Sequence, residues 1–467
     1  MLNTKLEEYK NYLKDKKVAV LGIGISNRPL ITYLVNLGID VTAFDKSELS
    51  SLGEFGDYLQ QKNVKLSLGP DYLEALTGFD VIFRTPGMRP DVPQIVKAVE
   101  EGSELASEME VFMELCPAQI IAITGSDGKT TTTTLISKFL ERQGYKVWLG
   151  GNIGTPLLCK IDEVHPADKV VLELSSFQLQ TMKKSPDIAV ITNITPNHLD
   201  VHKSMEEYID AKKNIFKYQN RYCTLVINND NPITKSFISE AKGSVRLFSR
   251  KENLGSGAFY VKNGAIIYDD GKDCIELIQC DEIMLPGNHN IENYLAACAA
   301  TIGLVLPENM SEVAKTFGGV EHRLEFVREV YGVKYYNGSI DSSPNRTKAA
   351  LSTFKQRVIL IAGGKDKNIP YDELGPSLAD KVKELILIGP TAEKIEVALH
   401  NELKKRGLPK DYVRVHHCTS YEEIVTLTKD ISKAGDIVIL SPASTSFDMF
   451  KNFEERGNTF KNLVMKL

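Results

Sequence analysis

The sequence predicts an α/β protein of three domains, each built on a mainly parallel sheet with helices on its faces. Three observations carry this. Short apolar runs rich in β-branched residues alternate with helical patterns in three successive regions. In the third region each run ends in glycine, proline or serine, which places loops at strand carboxyl ends. The length of 467 residues also exceeds what one hydrophobic core usually serves. The expected domains are 1–104, 105–318 and 319–467.

The first region opens with a charged helical stretch. Val18-Ala19-Val20-Leu21 then reads as a buried strand, followed by Gly22-Ile23-Gly24-Ile25-Ser26-Asn27 and a helical pattern through Leu37. Val41-Thr42-Ala43-Phe44-Asp45 and Val81-Ile82-Phe83-Arg84 are further strands, the latter running into Thr85-Pro86-Gly87. This is the opening of a Rossmann-like unit. Gly22-x-Gly24, with Asp45 ending the next strand, is close to a dinucleotide fingerprint, but Asn27 stands where a third glycine would. The residues leave three readings open: a nicotinamide dinucleotide, a generic tight turn, or another nucleotide-like ligand whose ribose or base Asp45 holds.

The second region carries the strongest local signal. The strand Ile120-Ile121-Ala122-Ile123 runs directly into Thr124-Gly125-Ser126-Asp127-Gly128-Lys129-Thr130. Glycines let loop amides turn inward, and the following helix N-terminus adds positive potential for a polyphosphate. Lys129 is then placed for β- and γ-phosphate oxygens and Thr130 for magnesium. The generic pattern needs glycine at 123, where this chain has Ile123, so the loop is a shortened form. The plainer alternative is a glycine turn beside a surface lysine. Thr130 to Thr134 are weak helix formers at a helix start, which fits a functional constraint. This domain therefore reads as a P-loop mononucleotide-binding α/β unit.

Further along, Gly150-Gly151-Asn152-Ile153-Gly154 offers a turn with an amide side chain. Glu173 ends the strand Val170-Val171-Leu172-Glu173-Leu174; a buried carboxylate there needs a partner, and its hard oxygens suit magnesium. The strand Ile188-Ala189-Val190-Ile191-Thr192 leads to Asn193 and then Asn197-His198-Leu199-Asp200, where His198 is a candidate for a metal shell or the substrate. Lys212, taken alone, reads as a solvated helix lysine. Asn263-Gly264 between apolar residues predicts a hairpin turn on an antiparallel flap.

The third region begins near Gly318-Gly319. Its strands are Val358-Ile359-Leu360-Ile361, Leu385-Ile386-Leu387-Ile388 and Ile437-Val438-Ile439-Leu440, and it reads as a second Rossmann-like domain.

Composition narrows the function classes. The net charge of −5 gives no basic face for nucleic acid as the main partner. The N-terminus lacks the apolar core of a secretory signal, and no apolar run reaches the ~20 residues that span a bilayer. Seven cysteines without a C-x-x-C pair point to reduced thiols in a cytoplasmic protein, not to a disulfide framework or a zinc site.

Taken in order, these motifs resemble the Mur ligase family. They are Thr-Gly-Ser-Asp-Gly-Lys-Thr at 124–130, Gly-Gly-Asn-Ile-Gly at 150–154, Leu-Glu-Leu-Ser-Ser-Phe-Gln at 172–178 and Asn-His-Leu-Asp at 197–200. Gly287-Asn288-His289-Asn290-x-x-Asn293 and Glu321-His322-Arg323-Leu324-Glu325 follow. The ending from Leu440-Ser441-Pro442-Ala443-Ser444 through Ser446-Phe447-Asp448 to Phe453-Glu454-x-Arg456-Gly457 is similar to the D-glutamate-adding branch. The similarity runs along essentially the whole chain.

The resemblance implies an N-terminal domain for the UDP end of a precursor, a central domain for ATP and a C-terminal domain for the incoming amino acid. It implies ATP contacts at Gly125, Ser126, Asp127, Gly128, Lys129, Thr130, Thr131, Asn293, Arg323 and Asp341. It implies precursor contacts at Gly24, Ile25, Ser26, Asp45, Lys46, Thr85, Pro86, Gly87, Asn152, Ser175, Gln178 and His198. D-glutamate falls to Ser342, Lys367, Ser446 and Phe453, and magnesium, at two sites, to Thr130, Glu173, His198 and Lys212. Lys129, His198 and Lys212 are the implied catalytic residues, Lys212 as a carbamate. The implied substrates are UDP-N-acetylmuramoyl-L-alanine and D-glutamate, joined through an acyl phosphate by a cytoplasmic monomer without nucleic-acid or membrane partners. One departure stands out. Where the family often reads Asn-Asp-Ser-Lys-Ala-Thr, this chain has Asn337-Gly338-Ser339-Ile340-Asp341-Ser342, which leaves two readings open: Asp341 stands in for the carboxylate missing at Gly338, or the grip on the ribose is weaker.

Overall fold

The computed structural model describes residues 3–24, 26–196, 201–367 and 369–467. The chain forms two compact units, Met1–Cys280 with Ile291–Val313, and Asp281–Asn290 with Ala314–Leu467.

The first unit holds two sheets. Strands β1 (Lys17–Leu21), β2 (Asp40–Asp45), β3 (Lys65–Leu68), β4 (Val81–Arg84) and β5 (Glu104–Ala106) form a parallel sheet in the order β3-β2-β1-β4-β5. The central strands are apolar on both faces because helices cover both. Val18 and Val20 pack with Leu30 and Leu34 of the helix Asn27–Asn36, whereas Ala19 and Leu21 pack with Ile95 and Ala98 of the helix Pro93–Glu100. The strand order reverses at β1, so the loops after β1 and β4 flank the crevice where open α/β sheets bind ligands.

The second sheet has β6 (Gln119–Thr124), β7 (Val147–Gly151), β8 (Lys169–Glu173), β9 (Ile188–Ile191), β10 (Thr224–Asn228), β11 (Ser244–Ser249), β12 (Ala258–Lys262), β13 (Ala265–Asp269) and β14 (Cys274–Gln279). Its order is β14-β13-β12-β11-β10-β9-β6-β8-β7. β6 lies between β9 and β8, so the loops after all three gather at one edge. The expected flap hairpin is present: β12 and β13 are antiparallel and joined by Asn263-Gly264, both with positive φ. Lys212 lies on the helix Met205–Lys217 as expected.

The second unit holds β15 (Glu325–Val330), β16 (Val333–Asn337), β17 (Val358–Gly363), β18 (Val382–Ile388), β19 (Arg414–His417) and β20 (Ile437–Leu440), in the order β15-β16-β20-β17-β18-β19. Only the β15–β16 pair is antiparallel. Alternate residues of β17 feed opposite cores, Val358 and Leu360 on one face and Ile359 and Ile361 on the other. Among the described residues no helix is long and apolar enough to cross a membrane, and all seven cysteines are free.

Candidate active site

The phosphate loop follows β6. The helix Lys129–Arg142 begins at Gly128, whose left-handed φ of 78° and lack of a side chain are both required. A Cβ there would come within 2.3 Å of Asn293 Oδ1, which also accepts from Thr132 Oγ1 at 3.2 Å. Asn293, far along the chain, is thus packed onto the loop. The first intrahelical bond runs from Thr132 N to Gly128 O, so the amides before it are left for an anion at the positive end of the helix. Lys129 Nζ folds back over the loop and donates to Gly125 O and Ser126 O, both at 2.9 Å.

Neighbouring strand ends hold the loop. Asn193, just past β9, accepts from Asp127 N at 3.0 Å and receives Ser126 N on its carbonyl at 2.9 Å. Thr192 Oγ1 donates to Asp127 O at 2.6 Å, and Tyr208 Oη lies 3.0 Å from Ser126 Oγ. The motif reading passed over Thr192 and Tyr208. A polar residue ending an otherwise apolar strand was the available signal for Thr192; Tyr208 had none.

Glu173 ends β8 at 1% exposure. Its Oε1 accepts from Asn152 Nδ2 at 2.8 Å, while its Oε2 is buried without a hydrogen-bond partner. A buried carboxylate oxygen left open in this way suits a divalent cation. Among the described residues no cluster of three or more His, Cys, Asp or Glu side chains forms a complete metal cage. His198, together with Asn197, Leu199 and Asp200, lies outside the described residues, as does Ile25.

Lys212 corrects the reading of a solvated helix lysine. It is 1% exposed, because its face of the helix Met205–Lys217 packs under the phosphate loop. Its Nζ donates to Gly125 O at 2.7 Å and Thr124 Oγ1 at 3.2 Å, and lies 4.8 Å from the Tyr208 ring centre. Burial, reinforced by the Lys129 charge, lowers its pKa well below the usual lysine range.

At the carboxyl edge of the first sheet, Asp45 Oδ2 accepts from Ile23 N at 2.6 Å and Oδ1 from Ser47 N at 2.8 Å. Burial alone would raise this carboxyl; the two amides, with the Ser47 hydroxyl and the Lys46 charge, together outweigh it and hold the pKa below the usual value. Asn27, standing where a third glycine would, donates to Leu21 O and Gly22 O and so seals the turn. Gly22 backs onto Thr85, with a Cβ 3.0 Å from Thr85 Cγ2, which brings the Gly22–Gly24 turn and Thr85-Pro86-Gly87 together. Gly24, Ser26 and Lys46 follow β1 and β2 at this edge, and all three are exposed. Ser175 and Gln178 close a capping box on the short helix Ser176–Leu179.

In the second unit three distant motifs meet on Arg456. Its Nε donates to Ser339 Oγ at 3.0 Å, Nη2 to Ser339 O at 2.8 Å and Nη1 to Ser444 O at 3.1 Å. Ser339 Oγ donates in turn to Phe453 O at 2.8 Å. His322 lies against Gly457, where a Cβ would sit 2.2 Å from its Nδ1, and meets the Phe453 ring edge-on at 5.9 Å between centres. Ser446 is buried and Ser342 half-buried; Lys367 is exposed on the loop after β17. Asp341 is buried, accepts from Ser441 Oγ at 2.9 Å, and is pushed up to about 7 by burial. Its Oδ2 lies 2.6 Å from where a Cβ on Gly338 would be. The carboxylate three residues on therefore fills the space beside Gly338. Arg323 belongs to this unit, next to His322, a residue of positive φ.

The comparisons with known proteins agree along the chain. Residues 16–107 match the profile described as the Mur ligase MurD-like N-terminal domain, 123–301 the Mur ligase middle domain, and 322–444 the Mur ligase glutamate ligase domain. A protein of Ruminiclostridium cellulolyticum named UDP-N-acetylmuramoylalanine–D-glutamate ligase is 61% identical over 466 residues, covering 100% of both chains. One of the same name from Acetivibrio thermocellus is 59% identical over 463 residues, covering 99% of each. Among solved structures, the UDP-N-acetylmuramate–alanine ligase of Thermotoga maritima shares the fold at a TM-score of 0.56 and 19% identity, covering 97% of this chain and 99% of that one.

Proposed function

The chain belongs to the Mur ligase family, and we propose that it joins D-glutamate to UDP-N-acetylmuramoylalanine in ATP-dependent peptidoglycan precursor synthesis. The observation that carries the chemistry is the gathering, at the ends of β6, β8 and β9, of the phosphate loop, the open Glu173 oxygen and the buried Lys212 amine. The full-length relatives carry the choice of substrates.

In this reading the alanine carboxylate attacks the γ-phosphate of ATP, and the resulting acyl phosphate is attacked by the D-glutamate amine, with phosphate leaving. Two anions must approach in the first step. Gly125, Ser126, Asp127, Gly128, Thr130 and Thr131 cradle the phosphates, and Lys129 swings from its loop carbonyls onto phosphate oxygens as negative charge moves. Magnesium, when bound, supplies further charge neutralisation, held by Thr130, Glu173, His198 and a carbamylated Lys212. A neutral Lys212 amine can attack carbon dioxide: the N–C bond forms as one C–O π bond opens onto oxygen, and the nitrogen loses a proton, which leaves an anionic oxygen ligand in place of the amine. Its lowered pKa favours that neutral form. Asn293, Arg323 and Asp341 are the remaining nucleotide contacts.

The UDP end of the precursor is assigned to Gly24, Ile25, Ser26, Asp45 and Lys46, and the following groups to Thr85, Pro86, Gly87, Asn152, Ser175, Gln178 and His198. Lys367 supplies charge for a D-glutamate carboxylate, Ser342 and Ser446 hydrogen bonds, and Phe453 a packing wall. The domains are 1–104, 105–318 and 319–467, and the enzyme acts in the cytoplasm as a monomer on small molecules. The carbamate has its own test. Bicarbonate should raise activity, and Lys212→Ala should be inactive but partly rescued by small carboxylates. Full activity of that variant without rescue excludes the carbamate.

A further inference from the structure

β4 is apolar until its last residue. Val81, Ile82 and Phe83 are fully buried, and the strand then closes on Arg84, itself only 2% exposed. One terminal nitrogen, Nη1, donates to Thr85 O and Pro86 O at 3.2 Å and to Met88 O. The other, Nη2, reaches out of the first sheet's domain to Thr181 Oγ1 at 3.1 Å and Phe177 O at 3.4 Å. Among the described residues Arg84 forms no salt bridge. Burying a cation without an anion is costly, and a packed apolar side chain of similar length would serve stability as well or better. What the arginine adds is geometry: a planar fork whose two ends hold two different segments in fixed relation.

Those segments are the Thr85-Pro86-Gly87 loop and the short helix Ser176–Leu179, whose cap carries Ser175 and Gln178. Arg89, from the same loop, donates to Val201 O at 2.7 Å and to Glu207 Oε1 at 2.8 Å, and Glu207 Oε1 also accepts from Gln180 Nε2 at 3.1 Å, just past the short helix. We propose that Arg84 is a positioning residue for the UDP-linked substrate, fixing the loop after β4 against the Ser176–Leu179 helix so that both sides of the precursor site stand at the spacing the substrate needs. The inference rests on the assignment of those two segments to the precursor. Nothing in it involves the phosphate loop, so it separates precursor binding from ATP binding.

The experiment uses the full-length enzyme and measures KM separately for the UDP-linked precursor, ATP and D-glutamate, with a melting temperature for each variant. The variants are Arg84→Met, Arg84→Lys and Thr181→Val, with exposed Lys46→Ala as a control on the precursor site itself. The expected result is a precursor KM raised about tenfold by Arg84→Met, less by Arg84→Lys, and in the same direction by Thr181→Val. The ATP and D-glutamate KM values stay near wild type. Equal rises in all three KM values, or a precursor KM unmoved by Arg84→Met and Thr181→Val while Lys46→Ala raises it, overturn the positioning role. If Arg84→Met fails to fold, Thr181→Val decides, because it removes one bond and leaves the guanidinium in place. A precursor KM unmoved by Lys46→Ala, Arg84→Met and Thr181→Val alike removes the precursor from this edge of the sheet, and the inference with it.

Discussion

Gly128 shows how narrowly one residue can be constrained. Its φ of 78° disfavours any side chain, and a Cβ would collide with Asn293 at 2.3 Å. Gly128→Ala should lower kcat by roughly 100-fold through displacement of the loop, with a much smaller change in melting temperature; ADP release and a thermal melt read the two effects. Glu108 yields a prediction in pH. Burial of its carboxyl pushes it up to about 7, against the opposing amides of Leu158 and Leu157. A carboxyl whose pKa is higher folded than unfolded stabilises the fold while protonated. That contribution is full below the unfolded value of about 4.5 and is lost as pH rises through about 7. Glu108→Gln keeps an oxygen for Leu158 N, which Glu108 accepts at 2.7 Å, without the charge. It should melt above wild type on the alkaline side, with the difference closing towards acid. Asp341, also raised to about 7, should make the KM for ATP fall from about pH 6 to about pH 8 as it ionises and accepts ribose hydroxyls. Asp341→Asn should flatten that dependence. The positions of Lys129 and Glu173 at strand ends were legible from the sequence because each ends or follows an apolar strand. Lys212 was not, since its burial depends on how its helix packs, which residue type alone does not reveal.

At the scale of elements, the interior strands were legible and the edges were not. β6, β8, β9, β17, β18 and β20 are runs of apolar residues that signal a strand covered on both faces. β15 reads Glu-Phe-Val-Arg-Glu-Val and β19 reads Arg-Val-His-His, with mostly half-exposed residues and no apolar run to mark them. Both are edge strands, where one side meets solvent and mixed composition is tolerated. The Asn263-Gly264 turn was legible because its chemistry is local. The meeting of His322, Ser339, Ser444 and Arg456 was not, since it brings Ser339 to Arg456 across 117 positions of sequence. That junction yields another prediction. Gly457→Ala should force His322 away and raise the KM for D-glutamate, because the Phe453 ring rests on the displaced imidazole. An unchanged D-glutamate KM with a normal melt would detach this junction from amino-acid binding.

For the molecule as a whole, the same device recurs in each sheet. Parallel strands stop together, their carboxyl-end loops carry the polar residues, and strand order decides which loops become neighbours. This is why motifs separated along the sequence, such as Thr124–Thr130, Glu173 and Asn193, form one locality. Their order along the chain was legible, and so was the α/β class; the strand neighbours that bring them together had to be seen. Lys129→Ala should abolish turnover while the protein still melts cooperatively, since the loop whose carbonyls it caps is also held by Thr192 and Asn193. The most direct measurement of the central claim is ADP release by the purified protein with ATP, magnesium, the UDP-linked muramoyl-alanine precursor and a panel of amino acids. The account predicts release that requires the precursor and D-glutamate together. Release supported equally by other amino acids, or none with D-glutamate, would contradict it.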